Sequence, residues 1–308
     1  MLSAVVLVNP RARAGSSGPF DRILRPFHAA GWDVELWLSE GPEWTGRAAR
    51  RAVELGVSAV FGAGGDGMLA DILPALLGTS VALGVVPRGT GNVWARELGL
   101  PLHPEAAITV QLARPPQLVD VGRANDRPFL IIASAGFDAR IVSVVEARTK
   151  ALGQIAYPLA GVGLAGSVRG MPCRIWLDDE PPRELELLAV IATNGRLYGG
   201  LVPIAPDARV DDGLLHAALF PGSGPMDAAA HTARVLAGVH RTDPHVVTRS
   251  VRRLRIESLG EELPVQTDGD PRGSTPLEIE VQPKGLLALG VAHRGSLSRR
   301  GGSGNHAT

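Results

Sequence analysis

An apolar run from Val57 to Phe61 passes straight into Gly62-Ala-Gly-Gly-Asp-Gly-Met68, then into a helix-like stretch from Leu69 to Leu77. No other feature narrows the fold as far. A strand, a tight glycine turn and a helix start are the parts of a parallel α/β sheet. Backbone N–H groups converge at such a turn, and the helix N-terminus adds partial positive charge, so the loop suits phosphate. Asp66 sits in the middle of it. A bare carboxylate would repel phosphate there. It becomes useful only if it carries Mg²⁺ or accepts a proton from an attacking hydroxyl. The loop therefore points to phosphoryl chemistry.

Gly62, Gly64 and Gly67 also satisfy the loose G-x-G-x-x-G pattern of dinucleotide folds, a weak signal alone. That fingerprint expects an acid at the end of the next strand. The next strand, Val81 to Val86, instead leads into Pro87-Arg-Gly-Thr-Gly-Asn92. Arg88 keeps an NADP oxidoreductase open as an alternative. A purely structural turn is the other bland reading.

The first part of the chain alternates strand-like and helix-like runs. Ala4–Val8 reads as a strand, Phe20–Ala30 as a helix and Asp33–Leu38 as a strand. A basic helix follows from Thr45 to Leu55, and a short helix from Val93 to Leu98 closes the series. Strands separated by helices indicate a parallel sheet, with ligands at the carboxyl ends of the strands. The loops at Asn9, Gly62 and Pro87 all leave such ends. Beyond Pro115-Pro116 the chain turns to short β-like runs linked by turns, with one helix over Met226–Val239, as in an antiparallel sandwich. The expected division is a nucleotide-binding domain over 1–125, a β-rich domain over 126–293 and a disordered tail over 294–308.

The 308 residues carry 31 basic and 31 acidic side chains, so no field of one sign argues for nucleic acid. The single cysteine, Cys173, reads as a small core residue in a reducing compartment. A strand starts almost at once, so no secretory signal is expected. Ala151–Val168 is uncharged but broken by glycines and Pro158, and reads as a loose apolar segment, a candidate acyl-chain entrance. Arg47, Arg50 and Arg51 read as a solvated helix face, with phosphate head groups at a membrane as the alternative. His28 and His231 read as surface or boundary residues.

Five segments form one ordered pattern: Val8-Asn9-Pro10, Gly64-Gly-Asp-Gly67, Pro87-Arg-Gly-Thr-Gly-Asn92, Ala205 to Leu214, and Thr267-Asp-Gly-Asp270. Together they resemble the diacylglycerol kinase catalytic-domain family, in its bacterial lipid kinase branch related to sphingosine and ceramide kinases. The resemblance runs from residue 1 to about 293. It implies an NAD-kinase-like α/β domain with a parallel sheet, and a β-rich antiparallel sandwich closing over a cleft. It also implies transfer of the ATP γ-phosphoryl group to a lipid hydroxyl with Mg²⁺. Asp66 would lie by the ATP phosphates and help hold Mg²⁺, while Gly64, Gly65 and Gly67 let the backbone approach. Asn9, Ser39, Thr90 and Asn92 would contact the nucleotide. Asp270 would be the general base. Asp212, with the backbone carbonyls of Arg209 and Leu214, would hold a structural Mg²⁺. The implied partners are a lipid acceptor and a membrane surface touched transiently. The implied location is cytoplasmic, at the inner membrane face, and a homodimer stays open.

Met68 replaces the usual Thr of this pattern, Val93 the usual Asp and Asp270 the usual Glu. These departures keep two alternatives open: a kinase of a soluble acceptor such as NAD, and a nucleotide-binding regulator that has lost catalysis.

Overall fold

The computed structural model describes residues 1–10, 21–140 and 168–292. In the first part, β1 (Ser3–Val8), α1 (Asp21–Ala29), β2 (Asp33–Leu38), α2 (Pro42–Glu54), β3 (Ala59–Gly64), α3 (Asp66–Leu76), β4 (Ala82–Pro87), α4 (Val93–Glu97) and α5 (Pro104–Leu112) follow in order. The strands pair in parallel as β2-β1-β3-β4. The runs of β1, β3 and β4 are apolar because both faces are covered, whereas β2 at the sheet edge carries Asp33 and Glu35. Val5, Leu7, Val60, Leu83 and Val85 pack with Ala49 and Ala52 of α2 and Leu69 and Ile72 of α3. Ala4, Val6, Phe61 and Val86 pack with Ile23 and Phe27 of α1 and Ile108 of α5. The Phe27 and Phe61 rings meet edge to face, 4.8 Å between centroids.

Two helix starts and one whole helix differ from the sequence reading. α3 begins at Asp66 rather than Leu69, because Gly65 is extended and an acidic first residue suits the helix dipole. α2 begins at Pro42 rather than Thr45, since proline is preset for the first helical position. α5 was not anticipated, although Pro104-Glu105 at its start is a helix-initiation signal.

The remainder is antiparallel: β5 (Gln117–Ala124), β6 (Arg127–Phe129), β7 (Ile132–Gly136), β8 (Met171–Leu177), β9 (Arg183–Thr193), β10 (Leu197–Tyr198), β11 (Val202–Pro203), β12 (Leu215–Pro221), α6 (Pro225–Leu236), β13 (Val247–Val251), β14 (Arg253–Ser258), β15 (Pro264–Thr267), β16 (Asp270–Ser274) and β17 (Leu277–Ala288). Their inward side chains, among them Phe129, Ile175, Val190, Leu254 and Ile279, enclose a second core. Cys173 lies in it, and burial pushes its thiol up to about 11. His231 departs from expectation. It is buried, its Nε2 2.6 Å from the Pro221 carbonyl and its ring edge-on to Phe220, because α6 lays that face on β12.

β17 joins the two halves. It pairs antiparallel with β14 and β5, then meets β4 in parallel at Ala288 and Leu83. Where the strands part, the Gln111 side chain takes over: it accepts from Val85 N–H at 2.9 Å and donates to the Val85 carbonyl at 2.7 Å. The main sheet is thus continuous from β2 to β16.

The expected tail over 294–308 lies outside the described residues, as does Ala151–Val168 apart from Val168.

Candidate active site

The two glycine loops leave the neighbouring strands β3 and β4 and touch backbone to backbone. A Cβ on Gly89 would lie 2.4 Å from the Gly65 Cα, and one on Gly65 would lie 3.2 Å from the Gly89 Cα, so the crossing excludes a side chain at Gly89 and leaves little room for one at Gly65. The Arg88 N–H donates to the Gly64 carbonyl at 2.9 Å and continues the ladder into the loops. Gly64 is needed for another reason: a Cβ there would meet the Met68 sulfur at 2.8 Å. Gly67 differs. It is exposed, and a Cβ there would meet nothing within 4 Å. Open space beside the first turn of α3 is where the loop can receive a ligand.

Asp66 ties the loops together. Its carboxylate accepts from Val93 N–H and Trp94 N–H, each at 3.0 Å, and so caps α4 from another helix. Burial raises its pKa, against the pull of those two N–H groups and of Arg96. Arg96 in turn donates to the Gly91 carbonyl at 3.0 Å. Asn92 has a left-handed backbone (φ 47°), and its side chain staples the second loop through Gly89 N–H and the Gly89 carbonyl, both at 2.9 Å. Thr90 is exposed at the tip of that loop. Asn9 follows β1 directly, its N–H donating to the Ala63 carbonyl at 3.1 Å. The Ser39 hydroxyl is engaged locally, 2.7 Å from the Thr45 hydroxyl and accepting from Gly41 N–H at 3.2 Å. Met68 is buried in the core, so position 68 points away from the loop's open side. Val93 serves through its backbone N–H.

The β15–β16 turn brings the late acidic pair to this junction. Asp268 has a left-handed backbone (φ 49°), and its carboxylate accepts from Leu130, Ile131 and Ile132 N–H at 2.7, 2.9 and 3.0 Å. Burial pushes Asp268 up to about 6 against those three donors, and the Asp66 charge adds to the rise. Asp270 is more open and ion-paired to Arg272 at 2.9 Å. A third acid belongs here: Asp71 of α3 is raised to about 6 by burial and then by the Asp270 charge, with Arg272 opposing. Sequence reasoning missed Asp71. The signal was a carboxylate interrupting the apolar run of α3.

A buried polar group holds this turn from behind. Asp138 accepts from the hydroxyls of Ser134 and Tyr198 and from Gln266 Nε2, the last at 3.0 Å. Gln266 Oε1 accepts from Gly269 N–H at 2.9 Å, between the two acids. Tyr198 stands on the β10–β11 hairpin. That hairpin is anchored to α4 by Glu97, whose buried carboxylate takes Arg196 N–H, Leu197 N–H and the Arg196 guanidinium, each at 3.0 Å. No local motif announced these residues.

The expected structural cation site at 209–214 is a separate turn. The Asp212 carboxylate accepts from Arg209 N–H (3.1 Å) and Leu214 N–H (3.0 Å), and lies 3.1 Å from His216 Nε2. Burial opposes its charge, but His216 and those N–H groups hold it below the ordinary carboxylate value. Asp120, behind the turn, accepts from Gly213 N–H and Lys284 N–H at 2.6 and 2.8 Å, and is raised by burial and then by Asp212 and Asp211. Among the described residues no cluster of three or more His, Cys, Asp or Glu side chains is arranged as a metal site.

Comparison with known proteins decides the family. Residues 3–124 match the diacylglycerol kinase catalytic domain, and residues 131–290 match the YegS C-terminal NAD kinase beta sandwich-like domain. The chain belongs to the diacylglycerol kinase family of lipid kinases. The "probable lipid kinase YegS-like" of Pseudomonas aeruginosa (strain UCBPP-PA14) is 35% identical over 252 residues, covering 79% of this chain and 81% of that one. A diacylglycerol kinase of Mycobacterium tuberculosis (strain ATCC 25618 / H37Rv) is 31% identical over 248 residues, covering 79% and 80%. In fold, a diacylglycerol kinase from Bacillus anthracis str. Sterne superposes with a TM-score of 0.70 at 22% identity, covering 93% and 96%. An NAD kinase from Archaeoglobus fulgidus, solved with ATP, gives a TM-score of 0.50 at 14% identity, covering 94% and 92%. These two likenesses bear on the fold: an NAD-kinase-like α/β domain joined to an antiparallel sandwich.

Proposed function

We propose that this chain transfers the γ-phosphoryl group of ATP to a lipid hydroxyl, on diacylglycerol or a sphingoid-like acceptor. One observation carries the reading: the crossing of two glycine loops, locked by Asp66, meets the acidic 268–270 turn of the other domain. A phosphate-binding junction facing a proton acceptor is what phosphoryl transfer needs, since the protein's work is mostly positioning and charge neutralisation.

Phosphates are received at the open side of Gly64, Gly65 and Gly67, with Asn9, Ser39 and Thr90 at the rim and Asn92 shaping the second loop. The acceptor hydroxyl attacks the γ-phosphorus, the new P–O bond forms as the bond to the β-phosphate oxygen breaks, and ADP leaves. Asp270 accepts the hydroxyl proton. Asp66 is the residue here that would hold Mg²⁺, which takes oxygen donors such as a carboxylate and the phosphates. Bound there, Mg²⁺ would offset the charge that builds on the phosphates. Asp212, with the carbonyls of Arg209 and Leu214, would hold a second, structural Mg²⁺.

Lipid access requires a membrane surface, which fits a cytoplasmic protein acting at the inner face. Among the described residues no helix is long and apolar enough to span a bilayer. On α2, Arg47, Arg50 and Arg51 are exposed, and Arg47 and Arg51 pair with Glu43 and Glu54 at 3.8 and 3.2 Å, as in a solvated face.

The test is transfer of label from γ-labelled ATP into a lipid extract held in detergent, with Mg²⁺. Asp66→Asn and Asp270→Asn are each expected to lower transfer by about 100- to 1000-fold. Label appearing only in a water-soluble product would favour a soluble acceptor. ATP binding with no labelled product would favour a regulator without catalysis.

A further inference from the structure

Arg88 stands at the crossing of the two loops, one residue past the end of β4. The residue is 7% exposed, and its Nε is buried without a hydrogen bond. Among the described residues the guanidinium enters no ion pair and no hydrogen bond. Other arginines around the site are engaged: Arg96 with the Gly91 carbonyl, Arg272 with Asp270 and Arg196 with Glu97. Burying the Nε end of a guanidinium without an anion is costly, because the group stays charged at any working pH. Such a cost persists in a fold when a ligand bound in the working state relieves it.

The Arg88 N–H is bonded to the Gly64 carbonyl, so its backbone lies beside the point where Gly65 meets Gly89. Both loops are built of glycines and other small residues there. A planar fork of donors at such a crossing matches the paired oxygens of a phosphate.

We propose that Arg88 is a ligand for the phosphates of the bound nucleotide, held buried and unpaired until they arrive. This rests on the nucleotide-binding part of the functional reading, not on the identity of the acceptor.

The experiment is a thermal-shift and calorimetric comparison of the full chain with Arg88→Met and Arg88→Lys, using ATP, tripolyphosphate and vesicles of phosphatidylglycerol as probes. Arg88→Met removes the charge and keeps an apolar stem. It is expected to raise the melting temperature without ligand and to weaken ATP and tripolyphosphate binding by about 10- to 100-fold. Arg88→Lys keeps a point charge without the fork and is expected to fall between. A lower melting temperature with unchanged ATP affinity would overturn the proposal and make Arg88 a structural residue. An effect confined to the vesicles would overturn it in favour of a lipid phosphate. Wild-type protein that binds tripolyphosphate through Arg88 but not ATP would leave the phosphate ligand standing and remove the ATP-dependent kinase reading.

Discussion

The two sides of the cleft are built by different means. On the nucleotide side, position comes from backbone: Gly65 against Gly89, Arg88 N–H on the Gly64 carbonyl, and one carboxylate, Asp66, bridging to α4. On the acidic side, position comes from side chains: Asp268 on three N–H groups, and Gln266 held by Asp138, Ser134 and, through Asp138, Tyr198. Backbone crossings tolerate no added atom, whereas side-chain networks lose one bond at a time. The first side should fail abruptly under substitution and the second gradually.

Two glycines sharpen this contrast most. Gly89→Ala must force the loops apart, and is expected to destabilise the protein by about 1–3 kcal/mol and to abolish measurable ATP binding. Gly67→Ala meets open space in the first turn of α3, and is expected to leave stability unchanged or to raise it by up to about 1 kcal/mol, while still weakening ATP. Denaturant melts and calorimetry on the pair check it; equal destabilisation by both would erase the distinction.

On the acidic side, Tyr198→Phe removes one hydroxyl from Asp138, two links away from Gly269. It is expected to lower kcat about 5- to 10-fold with ATP affinity within twofold. Gln266→Leu, which frees Gly269 N–H directly, should cost more than Tyr198→Phe. Steady-state kinetics together with hydrogen exchange over residues 264–274 test that ranking.

The smallest effect concerns pH. Asp268 and Asp71 both sit at about 6 in the folded protein, above the ordinary carboxylate value near 4. Between those values the folded state holds protons that the unfolded state has released. Their contribution to stability therefore falls as pH rises from about 4 to 6, and grows again as pH drops. The melting temperature of Asp268→Asn, subtracted from that of wild type across this window, should trace the slope. A flat difference would mean that Asp268 titrates normally.

The nucleotide side was legible in the sequence because its determinants are local. A strand, a glycine turn and a helix start lie within Val57–Leu77, and the second loop repeats the arrangement within Val81–Leu98. The strand alternation gave the parallel sheet for the same reason. Asp270 was placed through its motif, but its neighbours were not. Asp71 sits behind an apolar helix pattern, and Asp138, Tyr198 and Gln266 come from three distant segments that only the antiparallel pairing of β7 with β9 and β15 brings together. The short β10–β11 hairpin carries too few residues to show a period. His231 read as a boundary residue because a lone histidine on a helix gives no hint of the strand beneath it.

The strand that joins the halves also bears on how the molecule comes to exist. β4 pairs with β17 at Leu83 and Ala288, and Gln111 takes up the N–H and carbonyl of Val85. As the chain leaves the ribosome, the edge of β4 waits for a partner made about 200 residues later, a contact of the long-range kind that slows folding. Gln111 lies on α5 and is synthesised early, so it can occupy Val85 before β17 arrives. With its N–H and carbonyl both taken by Gln111, Val85 offers no free backbone group on that edge for another strand to pair with.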